Sequence, residues 1–346
     1  MPSPTCPKDV AVLVLNWNGL ELLRSFLPSW VKFTPEEADL IIIDNGSTDG
    51  SVAFVREHYP EVKLVAFTEN YGFAAGYNKA IAELDYKTVV LLNSDVELSD
   101  GWLREPLELL NSDPSITAVQ PTIRAQRSPQ DFEYAGAAGG YIDSLGYPFC
   151  RGRILSVVEQ DQGQYSSPAD LFWASGACLI IRRVAYLEAG GLDPVFFAHQ
   201  EEIDLCWRLL ARGGRIVYAP SSTVYHVGGA SLSAESPRKV FLNFRNNLLM
   251  IYKNLSAPRL YTVLLLRVFL DFLAALVYLV KLQPRHCFAV LEAWRCFLIK
   301  RLRYERVRGD NLAKTTTQIS PDLMKPYSII VQYYLRGRKR YSQLPR

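Results

Sequence analysis

Four short apolar runs punctuate the first hundred residues: VAVLVLN (Val10–Asn16), DLIIIDN (39–45), VKLVAF (62–67) and KTVVLLNSD (87–95). They are rich in β-branched residues and too short for globular helices, so each predicts a buried strand, and three of the four close on polar side chains. Helical patterns fill the gaps at 20–31, Ser51–His58 and 74–84. Strand, loop, helix, strand predicts an α/β fold, a mixed, mainly parallel Rossmann-like sheet flanked by helices. In such sheets ligands collect at the carboxyl ends of the strands, so the polar residues that close the runs carry the functional interest.

The pattern then loosens. Residues 121–170, rich in Gly, Tyr, Ser and Pro, predict loops and hairpins over one end of the sheet. LFWASGACLIIRR (171–183) follows, then FAHQEEIDLCWRLLARGG (197–214), a helix with three acids at its mouth, and RIVYAPSSTVYHVGG (215–229), a strand and a loop. In the acidic helix Ile203, Cys206, Trp207 and Leu210 share an apolar face, Glu201, Asp204 and Arg208 share a polar one, and Glu202 falls at the seam. No internal repeat is present.

Beyond residue 256 the composition changes. Residues 260–282 hold fifteen Leu, Val and Phe, interrupted by Arg267 and Asp271. On an insertion scale the apolar residues contribute about −4.5 to −9 kcal/mol and two central charges cost about 5 to 7, so the balance sits near zero. Arg267 and Asp271 are spaced i, i+4 and share a face. A helix lying in the membrane interface, or packed on a partner, is therefore favoured over a full span, with a cap on the soluble core as the plain structural reading. Pro284 breaks this helix, and a basic amphipathic segment runs over 285–308. These patterns divide the chain into an α/β unit at 1–255 and a helical, basic, membrane-associating region at 256–346.

Charge sharpens that division. The net charge is +3, yet residues 301–346 alone carry eleven Lys and Arg against three Asp and Glu, which suits an anionic surface rather than nucleic acid. Six cysteines, Cys6, Cys150, Cys178, Cys206, Cys287 and Cys296, form no CxxC pair and lie mostly in apolar surroundings, as reduced thiols on a cytosolic face would. The apolar run at 10–15 is too short for a signal sequence. The expected location is cytoplasmic, peripheral on the inner face of the membrane.

The strand ends supply the chemistry. In LNWNG, Trp17 can stack on a base while Asn16 or Asn18 bonds its edge or ribose. In DNGSTDGS, Asp44 suits a base imide or ribose hydroxyl, and Ser47 and its neighbours can cap a helix. ENYGFAAGYNKA, from Glu69 to Ala80, includes Asn70 and places Gly72 and Gly76 at a helix start, where a diphosphate can approach backbone N–H groups; Asn78 and Lys79 add donors. The spacing matches neither GxGxxG nor the P-loop. In NSDVE, Asn93 and Asp95 point the same way and suit Mg2+ or Mn2+ shared with phosphate oxygens, with His226 as a further ligand.

The ordered set NWNG, IDNGSTDGS, ENYGFAAGYN, NSDV, WASGA and EEIDLCWR closely resembles the family 2 glycosyltransferases of the GT-A fold, especially their rhamnosyltransferase-like bacterial branch, over residues 10–229. The resemblance implies that Trp17 and Asp44 hold the nucleotide base, that Asp95 holds a divalent cation bridging the donor diphosphate with His226 as C-terminal ligand, and that Glu202 is the catalytic base. Two positions depart from the family pattern: Asn93 replaces the first acid of the DxD-like motif, and the usual Glu-Asp pair is Glu201-Glu202.

The reaction implied is inverting transfer of a sugar from a nucleotide-diphosphate donor, dTDP-rhamnose by resemblance, to a hydroxyl of a glycan or polyprenyl-linked glycan in cell-surface polysaccharide synthesis. Trp173, Gly176, Glu201 and Asp204 are expected on the acceptor side. A sugar-nucleotide hydrolase or nucleotidyltransferase would use the same donor pocket, and a non-catalytic glycan- or nucleotide-binding module is the reading from another class. The segment FLNFRNNLLMIYKN (241–254) has no evident chemistry.

Overall fold

The computed structural model describes residues 8–228 and 236–345. Cys6, Gly229 and Arg346, which entered the readings above, lie outside the described residues. The chain opens with β1 (Val10–Asn16), α1 (Leu20–Phe33), β2 (Ala38–Asn45), α2 (Ser51–His58), β3 (Lys63–Phe67), α3 (Gly72–Glu83) and β4 (Thr88–Leu92). The predicted alternation is thus realised, with one informative difference. β4 stops at Leu92, with the Asn93 N–H still donating to the Ala177 carbonyl of the neighbouring chain segment, and Asn93 and Asp95 stand beyond the strand end rather than inside a strand.

The chain continues through β5 (Val96–Leu98), α4 (Arg104–Ser112), β6 (Ile116–Ala125) and β7 (Ser128–Phe132). The Gly- and Tyr-rich middle supplies β8 (Gly140–Asp143), β9 (Pro148–Cys150), β10 (Arg153–Ile154), β11 (Val157–Val158) and β12 (Ala169–Asp170). Then follow β13 (Cys178–Arg182), α5 (Arg183–Ala189), α6 (Glu201–Ala211) and β14 (Arg215–His226). The main sheet has ten strands, with the order β12-β14-β6-β13-β4-β1-β2-β3 and with β5 and β7 paired to β14 and β6. Strands β4, β1, β2 and β3 are mutually parallel, and β13 enters antiparallel between β4 and β6.

Alternation within the strands explains the burial. Ala11 and Leu13 face one core layer, Val10, Val12 and Val14 the other, so both faces of β1 are covered and its sequence reads as continuously apolar. A smaller sheet, β11-β10-β9-β8, gains a fifth strand from far along the chain.

That strand follows three helices, α7 (Pro237–Asn254), α8 (Ala257–Val280) and α9 (Pro284–Ala313), where Pro284 occupies the first turn rather than an interior position. β15 (Met324–Lys325) then pairs with β8, and Asp143 accepts the backbone N–H of Ile329 at 2.8 Å. The tail therefore returns to the sheet.

α8 has two unlike faces. Its inner face buries Arg267 and Asp271, 1% and 0% exposed, as an ion pair at 3.1 Å. Tyr147 and Trp294 donate to the Asp271 carboxylate, while Arg267 donates to the carbonyl of Leu145 and to Asn247 and lies 4.0 Å from the Tyr147 ring centroid. The outer face exposes Leu265, Leu266, Phe269, Phe272, Leu273, Leu276 and Val280.

A buried charge that loses its partner is costly, about 3 to 5 kcal/mol. Arg267→Leu is therefore expected to lose about that much stability in denaturant unfolding, and the double variant Arg267→Leu with Asp271→Leu to recover most of it.

Candidate functional site

The carboxyl ends of β1 and β2 meet in register, Asn16 opposite Asp44. Both are buried, and their side chains knit the two following loops together. Asn16 Nδ2 donates to Asp44 Oδ1 at 3.0 Å and to Ser47 Oγ at 3.2 Å, the Ser47 N–H donates to Asp44 Oδ2 at 2.9 Å, and the Asn18 N–H donates to Ser47 Oγ at 2.9 Å. Asn18 takes φ 47°, which turns the chain so that its Oδ1 accepts the Thr48 N–H. Trp17, between these residues, is 57% exposed, an aromatic face held on a fixed loop. The Asn16 Oδ1 atom has no hydrogen-bond partner among the described residues. An unsatisfied buried acceptor beside an exposed indole is an arrangement that a ligand donor would complete.

The neighbouring loop is placed by Asn45, which sequence reasoning passed over. Its Nδ2 donates to Asn70 Oδ1 and to the Gly72 carbonyl, and its Oδ1 accepts the Tyr71 N–H. Gly72, at φ +78°, faces open space. The rest of this motif does not behave as expected. Gly76 is a packing residue: a Cβ there would come within 3.0 Å of Leu15 and 3.3 Å of Asn45. Asn78 turns to the protein interior, bonding Leu192 through both backbone groups and accepting the Tyr186 hydroxyl. Lys79 lies over the rings of Phe67 and Tyr71 with Glu83 at 3.8 Å. Gly76 and Asn78 are thus taken up by intramolecular contacts, whereas the Lys79 side chain stays exposed.

Just past β4, Asp95 Oδ1 meets His226 Nε2 at 3.1 Å, and both residues are buried. The other ring nitrogen, Nδ1, lies 3.3 Å from Glu133 Oε2 without an aligned hydrogen bond. Burial alone would lower the His226 pKa, but the carboxylates of Asp95 and Glu133 outweigh it and lift the imidazole to about 10. Glu133 was invisible in the sequence, since only the pairing of β14 with β5 and β6 brings His226 between the two acids. Among the described residues, no set of three or more His, Cys, Asp and Glu converges on a metal position. Asp95 and His226 therefore make a two-ligand corner, with the Asn93 carboxamide nearby.

The acids of α6 occupy the next loop along the same rim. Gly176 sits beside Glu202, so close that a Cβ at this glycine would lie 3.7 Å from the Glu202 Cβ. Burial pushes the Glu202 carboxyl up to about 7, against the pull of the backbone N–H groups at the helix start. Burial and then the charge of Glu202 hold Glu201 well above the usual carboxylate range. Each has an Oε2 atom with no hydrogen-bond partner among the described residues. A contiguous path thus runs from Glu202 through Gly176 and Ala177 to Asn93, Asp95 and His226.

Two expected acceptor-side residues lie elsewhere. Trp173 is buried, its Nε1 donating to the Tyr141 carbonyl and its ring over Gly140, where no Cβ would fit. Asp204 is 0% exposed, its carboxylate held by Arg208, Lys253 and Asn254. These charges, with Lys253 foremost, keep its pKa below the usual value although burial opposes them. Helical spacing put Asp204 on a polar face; it did not reveal that α7 covers that face.

The approach to α6 is strained. Phe197, His199 and Gln200 have positive φ of 67°, 69° and 73°, sparsely populated backbone that costs a side-chain-bearing residue about 1 to 3 kcal/mol.

Comparison with known proteins bears on the family and the fold. The Glycosyl transferase family 2 profile matches residues 11–188. An N-acetylglucosaminyl-diphospho-decaprenol L-rhamnosyltransferase of Mycobacterium tuberculosis is 30% identical over 233 residues, 62% of this chain and 75% of the relative. The fold matches that of GalNAc-T7 with UDP, GalNAc and Mn2+ at TM-score 0.54 and 16% identity, covering 71% of this chain and 48% of that one. It also matches the mannosyltransferase PcManGT of Pyrobaculum calidifontis, in complex with GDP-Man and Mn2+, at TM-score 0.52 and 15% identity, covering 91% and 86%.

The different settings of the two tryptophans are open to test. Trp173→Ala should lose about 3 to 5 kcal/mol in denaturant unfolding, whereas Trp17→Ala should change stability by no more than about 0.5 kcal/mol.

Proposed function

The chain belongs to glycosyl transferase family 2 and is a glycosyltransferase of the GT-A fold; from that premise we propose that it is an inverting enzyme of cell-surface glycan synthesis. It moves a sugar from a nucleotide-diphosphate donor, dTDP-rhamnose being the first to test, to a hydroxyl of a polyprenyl-diphosphate-linked acceptor. The relative named for transfer of L-rhamnose to N-acetylglucosaminyl-diphospho-decaprenol supports this choice of donor and acceptor. The observation that carries the mechanism is the path joining Glu202 to the Asp95–His226 corner through Gly176, Ala177 and Asn93, since it sets a base and a diphosphate site on adjoining loops.

In this reading Trp17 stacks on the nucleotide base, and Asn16, Asn18, Asp44 and Ser47 form its polar floor. Asn70 and Gly72 line the side where the diphosphate passes. Asp95 and His226 would hold a divalent cation such as Mn2+ or Mg2+, because Oδ1 and Nε2 converge from separate strand ends, and His226 would give up the proton that its two carboxylate neighbours hold on it in the metal-free site. The cation, when bound, stabilises negative charge on the departing diphosphate. Asn93, placed where the family has an acid, contributes a neutral carboxamide beside that corner.

Glu202 then acts on the acceptor. A sugar hydroxyl is a weak nucleophile, and a carboxylate in hydrogen-bond reach takes its proton as attack begins. Attack at C1 from the face opposite the leaving group inverts the anomeric centre. A pKa near 7 makes Glu202 a stronger base than an ordinary carboxylate while leaving much of it ionised at neutral pH. Glu201 and Gly176 flank the acceptor.

The exposed apolar face of α8, continued by Phe288, Leu298, Ile299 and Leu302 of α9, rests on the cytoplasmic leaflet. The exposed basic residues Arg285, Arg295, Arg303 and Arg306 attract anionic lipid. α8 is long and apolar enough to cross a membrane. A full span would pull Arg267 and Asp271 from Leu145, Tyr147 and Asn247 into lipid, so the helix lies along the interface. The catalytic unit at 1–255 and the membrane-associating region at 256–346 are thereby one working assembly.

Glu202→Gln should reduce transfer by at least about 100-fold, while dTDP still raises the melting temperature in the presence of Mn2+; near-normal transfer would sink the assignment. Only ionised Glu202 accepts a proton, so kcat/KM should fall as pH drops through about 7, measured from initial rates. Separately, Phe269→Asp with Leu273→Asp should abolish sedimentation with anionic liposomes at unchanged melting temperature, since both side chains are exposed.

A further inference from the structure

The segment FRNN of α7, Phe244 to Asn247, acquires a role from its contacts with the loop that leads into Glu201 and Glu202. That loop holds Phe197, His199 and Gln200 at positive φ, a backbone that side-chain-bearing residues keep only where the surroundings over-determine it. The surroundings here are three successive side chains. Asn246 Nδ2 donates to the carbonyls of Phe196, Ala198 and His199 at 2.9, 2.8 and 2.8 Å. Its Oδ1 accepts from Arg245, whose Nη2 also donates to the carbonyls of Val195 and Phe196 at 2.9 and 3.0 Å. Asn247 Nδ2 donates to Gln200 Oε1 at 3.0 Å and to the Gly146 carbonyl at 2.7 Å. All three are buried.

The same helix grips α6 two turns further on. Lys253 and Asn254, each seven residues beyond Asn246 and Asn247 and so on the same faces of α7, hold the Asp204 carboxylate at 2.8 and 2.9 Å. Gln200 itself closes the helix start, its carbonyl accepting the Asp204 N–H at 2.9 Å. Glu202 lies between these two grips, met by backbone N–H groups at the helix start but with its Oε2 atom left without a hydrogen-bond partner among the described residues.

We propose that Arg245, Asn246 and Asn247 form a positioning clamp that holds the strained loop, and through it Glu202, in the geometry for proton abstraction, with Asn246 as its central member. The proposal rests on Glu202 being the base. The clamp touches neither the Trp17–Asp44 floor nor the Asp95–His226 corner, so it acts on the transfer step and not on donor binding. A base displaced by about 1 Å loses about 100-fold in rate.

The test uses the full-length protein with dTDP-rhamnose and a short-chain N-acetylglucosaminyl-diphospho-prenol. Asn246→Asp keeps the shape but replaces the donor that serves three carbonyls with an acceptor. Its kcat should fall about 100-fold, with dTDP affinity and binding stoichiometry in Mn2+ within twofold of wild type. Gln200→Ala, which removes only the partner of Asn247, guards against misfolding of the first variant and should lose about tenfold in kcat with the same unchanged dTDP binding. Glu202→Gln is the control. Wild-type kcat in both clamp variants, while Glu202→Gln is inactive, overturns the clamp alone. Losses of kcat matched by equal losses of dTDP stoichiometry also overturn it, since that is the mark of a merely structural role. Normal transfer by Glu202→Gln overturns the functional reading and the clamp with it.

Discussion

Arg267 and Asp271 are two charges removed from water, and the architecture of the C-terminal third follows from keeping them satisfied. Ion pairing alone does not offset the desolvation of a buried pair; every remaining donor and acceptor must also find a partner. Tyr147, Leu145, Asn247 and Trp294 supply those partners from the small-sheet loop, α7 and α9. A helix whose composition suits a lipid bilayer is thereby pinned along a globular domain, with one face committed to protein and the other left apolar and bare.

α7 is the element through which that docking reaches the site. Asn247 accepts from Arg267 on one side and donates to Gln200 on the other. Lys253 bridges Asp193 and Asp204 at 2.7 and 2.8 Å, with Tyr304 of α9 also donating to Asp193. Polar groups buried this deeply are expensive unless fully paired, and fully paired they rigidify what they join. The acidic helix is held by a framework that reaches from the catalytic sheet to the helix pair.

Much of the site was legible because parallel strands impose a simple rule. Residues that close β1, β2 and β4 must lie at one rim, so Asn16, Trp17, Asp44, Asn93 and Asp95 could be gathered from strand ends without knowing any contact. Helix spacing likewise put Glu202 at a seam. The same rules misplaced Gly76, Asn78, Trp173 and Asp204, because a glycine admits side-chain packing as readily as a ligand, and a polar helix face is equally suited to solvent, substrate or a buried lysine. Glu133, Asn45 and the Arg245–Asn247 segment carried no local signal at all.

The order of apolar runs, their polar terminators and the paired acids are one-dimensional properties, and they suffice for the fold class, for the motifs that resemble the family and for the sheet edge that carries the candidate site. Which acid faces a cleft and which faces a lysine, whether a histidine meets a carboxylate, and whether a bilayer-like helix spans or docks are decided by contacts between residues far apart along the chain, 49 positions for Asp204 and Lys253 and 131 for Asp95 and His226. Those contacts exist only once burial has forced each charge and amide to find its partner, and no local pattern of the chain records that choice.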